Sequence, residues 1–190
     1  RGGLIAMILA VMRPTVLGAV VLNDIGPVIE RNGLARIAGY VGRIPLPASW
    51  EEAAELVREV SRRQFPAIKD DEWTEIAKAW YNDSNGMPSP SYDPAIAHSI
   101  RIADIGSALP EMWEQFATLT RIPAMVIRGE NSDLLAPKTV ARMAKIHPDL
   151  VTFNVPKQGH APLLRDEPAI GAIADFLAAS DGVKAGAAGR

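Results

Sequence analysis

The sequence contains no cysteine. That excludes a disulfide scaffold, a thiol nucleophile and any Cys-ligated zinc or iron–sulfur centre. It fits a reducing compartment, and a cytoplasmic setting is expected. Only three histidines occur, His98, His147 and His160, too few for a His-rich metal site, so neither a metal nor another cofactor is expected. Excess charge is missing too. Lys and Arg number 20 against 22 Asp and Glu, a net −2, which excludes a broadly basic nucleic-acid surface. No apolar run approaches the roughly 20 residues needed to span a bilayer. The apolar opening, residues 2–12, lacks a basic leader and a small-residue cleavage site, because Arg13-Pro14 follows at once. No membrane partner is expected.

What is present is a set of compact apolar segments in a chain of 190 residues, long enough to bury a sizeable core. Residues 2–12 are apolar on every face, the mark of a buried helix. Val16 to Asp24 and Ile122 to Gly129 are continuous aliphatic runs without alternation, as in parallel strands buried on both faces. Leu150 to Pro156 is a shorter third. Pro137 to Ile146 predicts a helix with Pro at its first position and Val140, Met143, Ala144 and Ile146 on one face. Pro168 to Ala179 predicts a closing helix. The order helix, strand, insertion, strand, helix, strand, helix indicates an α/β protein with a parallel sheet.

The insertion, residues 46–106, has a different texture. Ser49 with Glu52 forms a capping-box pattern ahead of Trp50, Ala53, Val57 and Val60. Trp73, Ile76, Ala77 and Trp80 repeat at helical spacing. Residues 82–90 carry loop chemistry throughout, and Asp93-Pro94 opens a further short helix. Trp50, Trp73 and Trp80 are expected to form the small core of this block, with a pocket roof as the functional alternative. The tail, residues 180–190, has no apolar face and is expected to be disordered.

Two segments stand just past strand ends, where functional groups collect in open α/β sheets. They are Arg128-Gly129-Glu130-Asn131-Ser132-Asp133-Leu134-Leu135 and Gly159-His160-Ala161-Pro162-Leu163-Leu164. A carboxylate there could orient an imidazole through Nδ1–H and leave Nε2 as a general base. Each residue alone has a plain structural reading. Asp133 could cap a turn, and His160 could be a satisfied structural histidine. Their joint placement, each after its own strand, favours the catalytic one.

Gly129-Glu130-Asn131-Ser132-Asp133 followed by Gly159-His160-Ala161-Pro162 resembles the acid and histidine segments of α/β-hydrolase-fold enzymes. Arg1-Gly2-Gly3 ahead of an apolar helix resembles the second half of the nucleophile elbow, G-x-S-x-G. Val21-Leu22-Asn23-Asp24-Ile25-Gly26-Pro27 resembles the next strand and its exit loop, and Tyr92-Asp93-Pro94 a recurring segment of the helical cap. The resemblance implies the C-terminal part of a parallel-sheet α/β-hydrolase fold: core residues 1–45 and 107–179, an inserted helical cap at 46–106, and the tail.

It also implies a serine hydrolase of small esters, lactones or related acyl substrates. Asp133 and His160 would be catalytic, and the Arg1 backbone N–H would be an oxyanion donor of the kind typically worth about 3–4 kcal/mol. Ile25, Leu134 and Ala161 would help form the substrate pocket. Asp24 is the alternative acid, ranked second because the segment around Asp133 matches better. His98 and His147 are expected to be structural or solvent-exposed.

None of the serines here lies in a G-x-S-x-G context, so the nucleophile is expected immediately before Arg1. The partner implied is a missing N-terminal segment or chain of about a hundred residues. Without it the polypeptide is expected to fold poorly and to lack activity, since an open apolar sheet edge invites aggregation. Rival readings keep the fold: a haloalkane dehalogenase or epoxide hydrolase with an Asp nucleophile, a carbon–carbon bond hydrolase, or a ligand-binding or truncated member without catalysis.

Overall fold

A computed structural model of the chain describes residues 2–93, 95 and 109–187. Three short runs rich in aliphatic residues form a parallel sheet. Strand β1 (Val20–Asn23), β4 (Ala124–Gly129) and β5 (Val151–Val155) lie in the order β1-β4-β5, with Val20 beside Ala124 and Met125 beside Val151. Every residue of β4 but Arg128 is buried, which explains why the strand is apolar from Ala124 to Ile127: a central parallel strand is covered on both faces.

On one face Val20, Leu22 and Val126 pack with Met7 and Ala10 of helix α1 (Gly2–Met12), with Phe116 of α5 (Trp113–Ala117), and with Met143 of α6 (Pro137–Ile146). On the other face Met125, Ile127 and Val155 pack with Phe176 of α7 (Glu167–Ala187). Helices on both sides of a parallel sheet make the α/β layering that the element order implies.

Several expectations are modified. The run from Val16 yields a strand only from Val20, because residues 14–16 form a turn and Gly18 a bend. Helix α1 buries Met7 and Ala10, but Ile5, Ile8 and Met12 stand 61%, 45% and 70% exposed; only one side of this all-apolar helix is covered. The closing helix runs on to Ala187, into the stretch expected to be a disordered tail. No described helix is long and apolar enough to cross a membrane.

The chain packs as two units, Arg1–Glu30 with Leu109–Arg190, and Arg31–Ala108. The second therefore starts at Arg31, ahead of the boundary expected at residue 46, and takes in a further helix, α2 (Arg31–Tyr40). Within it α3 (Trp50–Ser61) begins as expected. Ser49 Oγ accepts the Glu52 N–H (3.2 Å), and Glu52 Oε2 accepts the Ala48 N–H (2.6 Å). Ala53 and Val57 of α3, with Trp73, Ile76 and Ala77 of α4 (Trp73–Trp80), are buried, whereas Trp50 and Trp80 are half-buried.

The stretch expected to be loop is a hairpin, β2 (Tyr81–Ser84) and β3 (Met87–Pro90), turned at Asn85-Gly86 with φ of 55° and 84°. Two positive φ values in a two-residue turn are what Asn-Gly supplies at least cost. In the same unit Tyr92 Oη accepts the Gly42 N–H (3.3 Å). The short helix expected after Asp93, His98, and Arg1 lie outside the described residues.

His147 is buried, with 2% of its surface exposed. Its backbone N–H caps α6 through the Met143 carbonyl, and its Nε2 stands 3.1 Å from the Ile122 carbonyl that leads into β4. With Nε2–H as donor, the ring ties a helix end to a strand start, a structural role. His147→Ala would leave both a cavity and an unsatisfied carbonyl. It is expected to cost about 2–4 kcal/mol of stability, read from the shift of a urea denaturation midpoint.

Candidate active site

Because β1, β4 and β5 are parallel, their carboxyl ends lie along one edge, and the three loops leaving them converge there. Asp24 immediately follows β1. Its backbone N–H still continues the ladder to the Ile127 carbonyl (2.7 Å), but its φ of 54° is in the left-handed region. Asp tolerates that region better than most side chains, though at a cost. Its side chain is fully buried, with no exposed surface.

Three donors satisfy the carboxylate. Oδ1 accepts the Gly129 N–H (2.9 Å) at the end of β4. Oδ2 accepts the Ser132 Oγ–H (2.6 Å) from the following turn. The same Oδ2 stands 2.9 Å from His160 Nδ1, beyond β5. A buried carboxylate needs such a set, since each unmatched lone pair would carry a desolvation penalty.

The histidine reaches Asp24 by crossing the end of the middle strand. Gln158 and Gly159 lay their carbonyls over Gly129, so a Cβ there would stand 2.5 Å from Gln158 O and 2.6 Å from Gly159 O. Gly129 is required for this close approach, not for an unusual φ. The Glu130 N–H to Val155 O bond (2.9 Å) and the Asn131 N–H to Gln158 O bond (2.9 Å) lock the two loops together. Asn23 Nδ2 donates to the Pro162 carbonyl (3.1 Å), tying the far side of the histidine loop back to β1. Arg128 holds the Asp133 turn from below: its Nε donates to the Leu135 carbonyl (2.8 Å) and a terminal nitrogen to the Ser132 carbonyl (3.4 Å).

The imidazole side chain is 20% exposed while the Asp24 side chain is 0% exposed. This combination suits a shielded acid orienting a base. With Nδ1–H given to Asp24, the ring is fixed in the tautomer that carries its lone pair on Nε2.

The two candidate acids stand differently with respect to His160. Asp133 sits in the turn beside Ser132, as the sequence suggested, but the carboxylate facing His160 Nδ1 is that of Asp24. Ser132 is a contact of the pair that the sequence pattern does not single out. Its signal was its place in Asn131-Ser132-Asp133, a composition that favours side-chain bonds to nearby backbone. Ile25, Leu134 and Ala161 each neighbour the site in sequence. Leu134 is buried at 4% exposure, whereas Ile25 and Ala161 are half-buried, Ile25 against the core under α1.

The chain is 36% identical to an α/β hydrolase from Novosphingobium aromaticivorans, with a TM-score of 0.81 over 92% of this chain and 61% of that one. A putative hydrolase from Rickettsia typhi is 25% identical, with a TM-score of 0.75 over 93% of this chain and 59% of the other. A 3-hydroxybutyrate-oligomer hydrolase of Cupriavidus necator is 29% identical over 183 residues, 93% of this chain and 62% of that protein. No family model matches the sequence. The chain thus spans about 60% of the length of these relatives. The chain has the α/β-hydrolase fold.

Proposed function

We propose that the chain carries the acid and the histidine of a serine hydrolase acting on small carboxylic esters, with Asp24 as the acid and His160 as the general base. The observation that carries this reading is the 2.9 Å contact between His160 Nδ1 and the fully buried, three-donor carboxylate of Asp24. The nucleophile is a serine immediately preceding Arg1, supplied by an N-terminal segment or chain. His160 Nε2 removes its proton as it attacks the ester carbonyl, and Asp24 stabilises the imidazolium so formed. The Arg1 N–H and a donor from that same segment bind the oxyanion. His160 then protonates the leaving alkoxide, and water repeats the sequence to release the acid.

Similarity to a 3-hydroxybutyrate-oligomer hydrolase makes short oligoesters of hydroxy acids the first substrates to try. Ile25 and Ala161, which directly follow Asp24 and His160 in sequence, are the residues proposed to meet the substrate first, with the buried Leu134 as a further pocket residue. Treating the full-length protein with a fluorophosphonate probe tests the reading. Labelling is expected at the serine next to Arg1, located by peptide mapping, and should be lost in His160→Ala. An unlabelled protein with an aspartate at that place would instead support dehalogenase or epoxide-hydrolase chemistry, and one with alanine or glycine a binding role.

A further inference from the structure

We propose that Ser132 is a positioning residue of the acid–base pair: its hydroxyl fixes the Asp24 carboxylate so that Oδ2 stays aimed at His160. This inference rests on the Asp24–His160 reading above and goes one residue further. The hydroxyl has one proton and two lone pairs. Ser132 Oγ accepts two backbone N–H groups, from Leu134 (3.2 Å) and Leu135 (3.0 Å). Both lone pairs are therefore engaged, and the proton has one destination, Asp24 Oδ2 at 2.6 Å. The hydroxyl cannot turn away without abandoning the two N–H groups it caps, so the turn after β4 acts as a rigid arm that delivers one O–H to the acid.

The consequence lies in how the carboxylate is held. Gly129 N–H grips Oδ1, and because the His160 ring is a donor that the carboxylate must itself orient, that single fixed backbone bond leaves the carboxylate free to rock about its own Cβ–Cγ bond. Ser132 grips Oδ2, the oxygen that also faces His160 Nδ1, and the second grip removes that freedom. Removing it lets Oδ2 drift from the ring plane of His160, so the Nδ1–H tautomer is held less firmly. The loss falls on proton transfer, not on substrate binding, because Ser132 acts through Asp24 and not on the ester. It should therefore lower kcat and leave KM nearly unchanged.

The test uses the full-length protein, with kcat and KM on a short-chain p-nitrophenyl ester and the His160 Nδ1–H proton resonance by NMR. Ser132→Ala is expected to lower kcat about tenfold, the worth of one hydrogen bond to a charged group, with KM within about twofold. It should also broaden or shift the Nδ1–H resonance. Ser132→Thr, which retains a hydroxyl, should restore both. Ser132→Cys, nearly isosteric and a weak donor, should show the same kcat loss even if the alanine variant does not fold. If kcat and the resonance stay at wild-type values in the alanine or cysteine variant while Asp24→Asn abolishes turnover, Ser132 has no such role and the pair stands. If Asp24→Asn also retains turnover and resonance, the pair itself is wrong and this inference falls with it.

Discussion

Replacing Asp24 by Asn in the full-length protein is expected to lower kcat by about 10³–10⁴-fold, as changing an orienting acid to an amide does in a Ser-His-Asp site. Asp133→Asn is expected to change it by less than about tenfold. The asymmetry follows from the donors around Asp24. Gly129 N–H points at Oδ1, and Ser132 O–H and His160 Nδ1 crowd Oδ2. An amide cannot satisfy this set. With its NH2 at the Oδ1 place, two donors meet at Gly129. With its NH2 at the Oδ2 place, it faces the Ser132 proton and offers a hydrogen to Nδ1, which favours the opposite tautomer and removes the base from Nε2. Steady-state turnover of a small ester by the two variants checks this. A larger loss in Asp133→Asn than in Asp24→Asn would reverse the assignment.

The second large effect is expected at Gly129. Its hypothetical Cβ meets two backbone carbonyl oxygens at 2.5 and 2.6 Å and the Gln158 carbonyl carbon at 3.0 Å. Backbone cannot swing aside as a side-chain tip can, so Gly129→Ala must push the histidine loop off the end of β4. Overpacking of this kind costs about 1–3 kcal/mol or more. The displaced loop carries His160, and a shift near 1 Å at a catalytic group costs about 10²-fold in rate. Two readouts are therefore expected together: a lowered denaturation midpoint, and a kcat reduced about a hundredfold in the molecules that remain folded. Wild-type stability and turnover in this variant would show that the histidine loop does not depend on the close approach at Gly129.

Why the sequence leaves two carboxylates in competition is clear from their placement. Both Asp24 and Asp133 follow a parallel strand, and both strands reach the same edge. Pattern alone therefore leaves two candidates, and the better-matched motif pointed to Asp133. What separates them is the left-handed backbone at Asp24, which turns its carboxylate under the Gly129 N–H. That is a three-dimensional fact with only a faint trace in sequence, the permissiveness of Asp for positive φ. The sheet is far more legible, because β4 is buried on both faces and its apolar run from Ala124 to Ile127 says so directly.

The hairpin at 81–90 failed for the opposite reason. Its Asn85-Gly86 turn is a strong hairpin signal, but Asn82, Asp83, Ser84, Pro88 and Pro90 around it show no alternation of apolar and polar residues. Helix α2 likewise hid behind a mixed sequence, Arg31 to Tyr40, of which only Gly33 and Ala38 are buried. The place of His160 after the third strand is legible in the sequence, whereas the pattern there does not single out Asp24 as the carboxylate that faces it.

The most direct test of the account is the protonation pattern of the His160 ring, read from 15N chemical shifts of the neutral imidazole in the wild type, Asp24→Asn and Asp133→Asn. Nδ1–H with an unprotonated Nε2 is expected in the wild type and in Asp133→Asn, and a switch to Nε2–H in Asp24→Asn. A wild-type ring protonated on Nε2, or a switch caused by Asp133→Asn and not by Asp24→Asn, would contradict it.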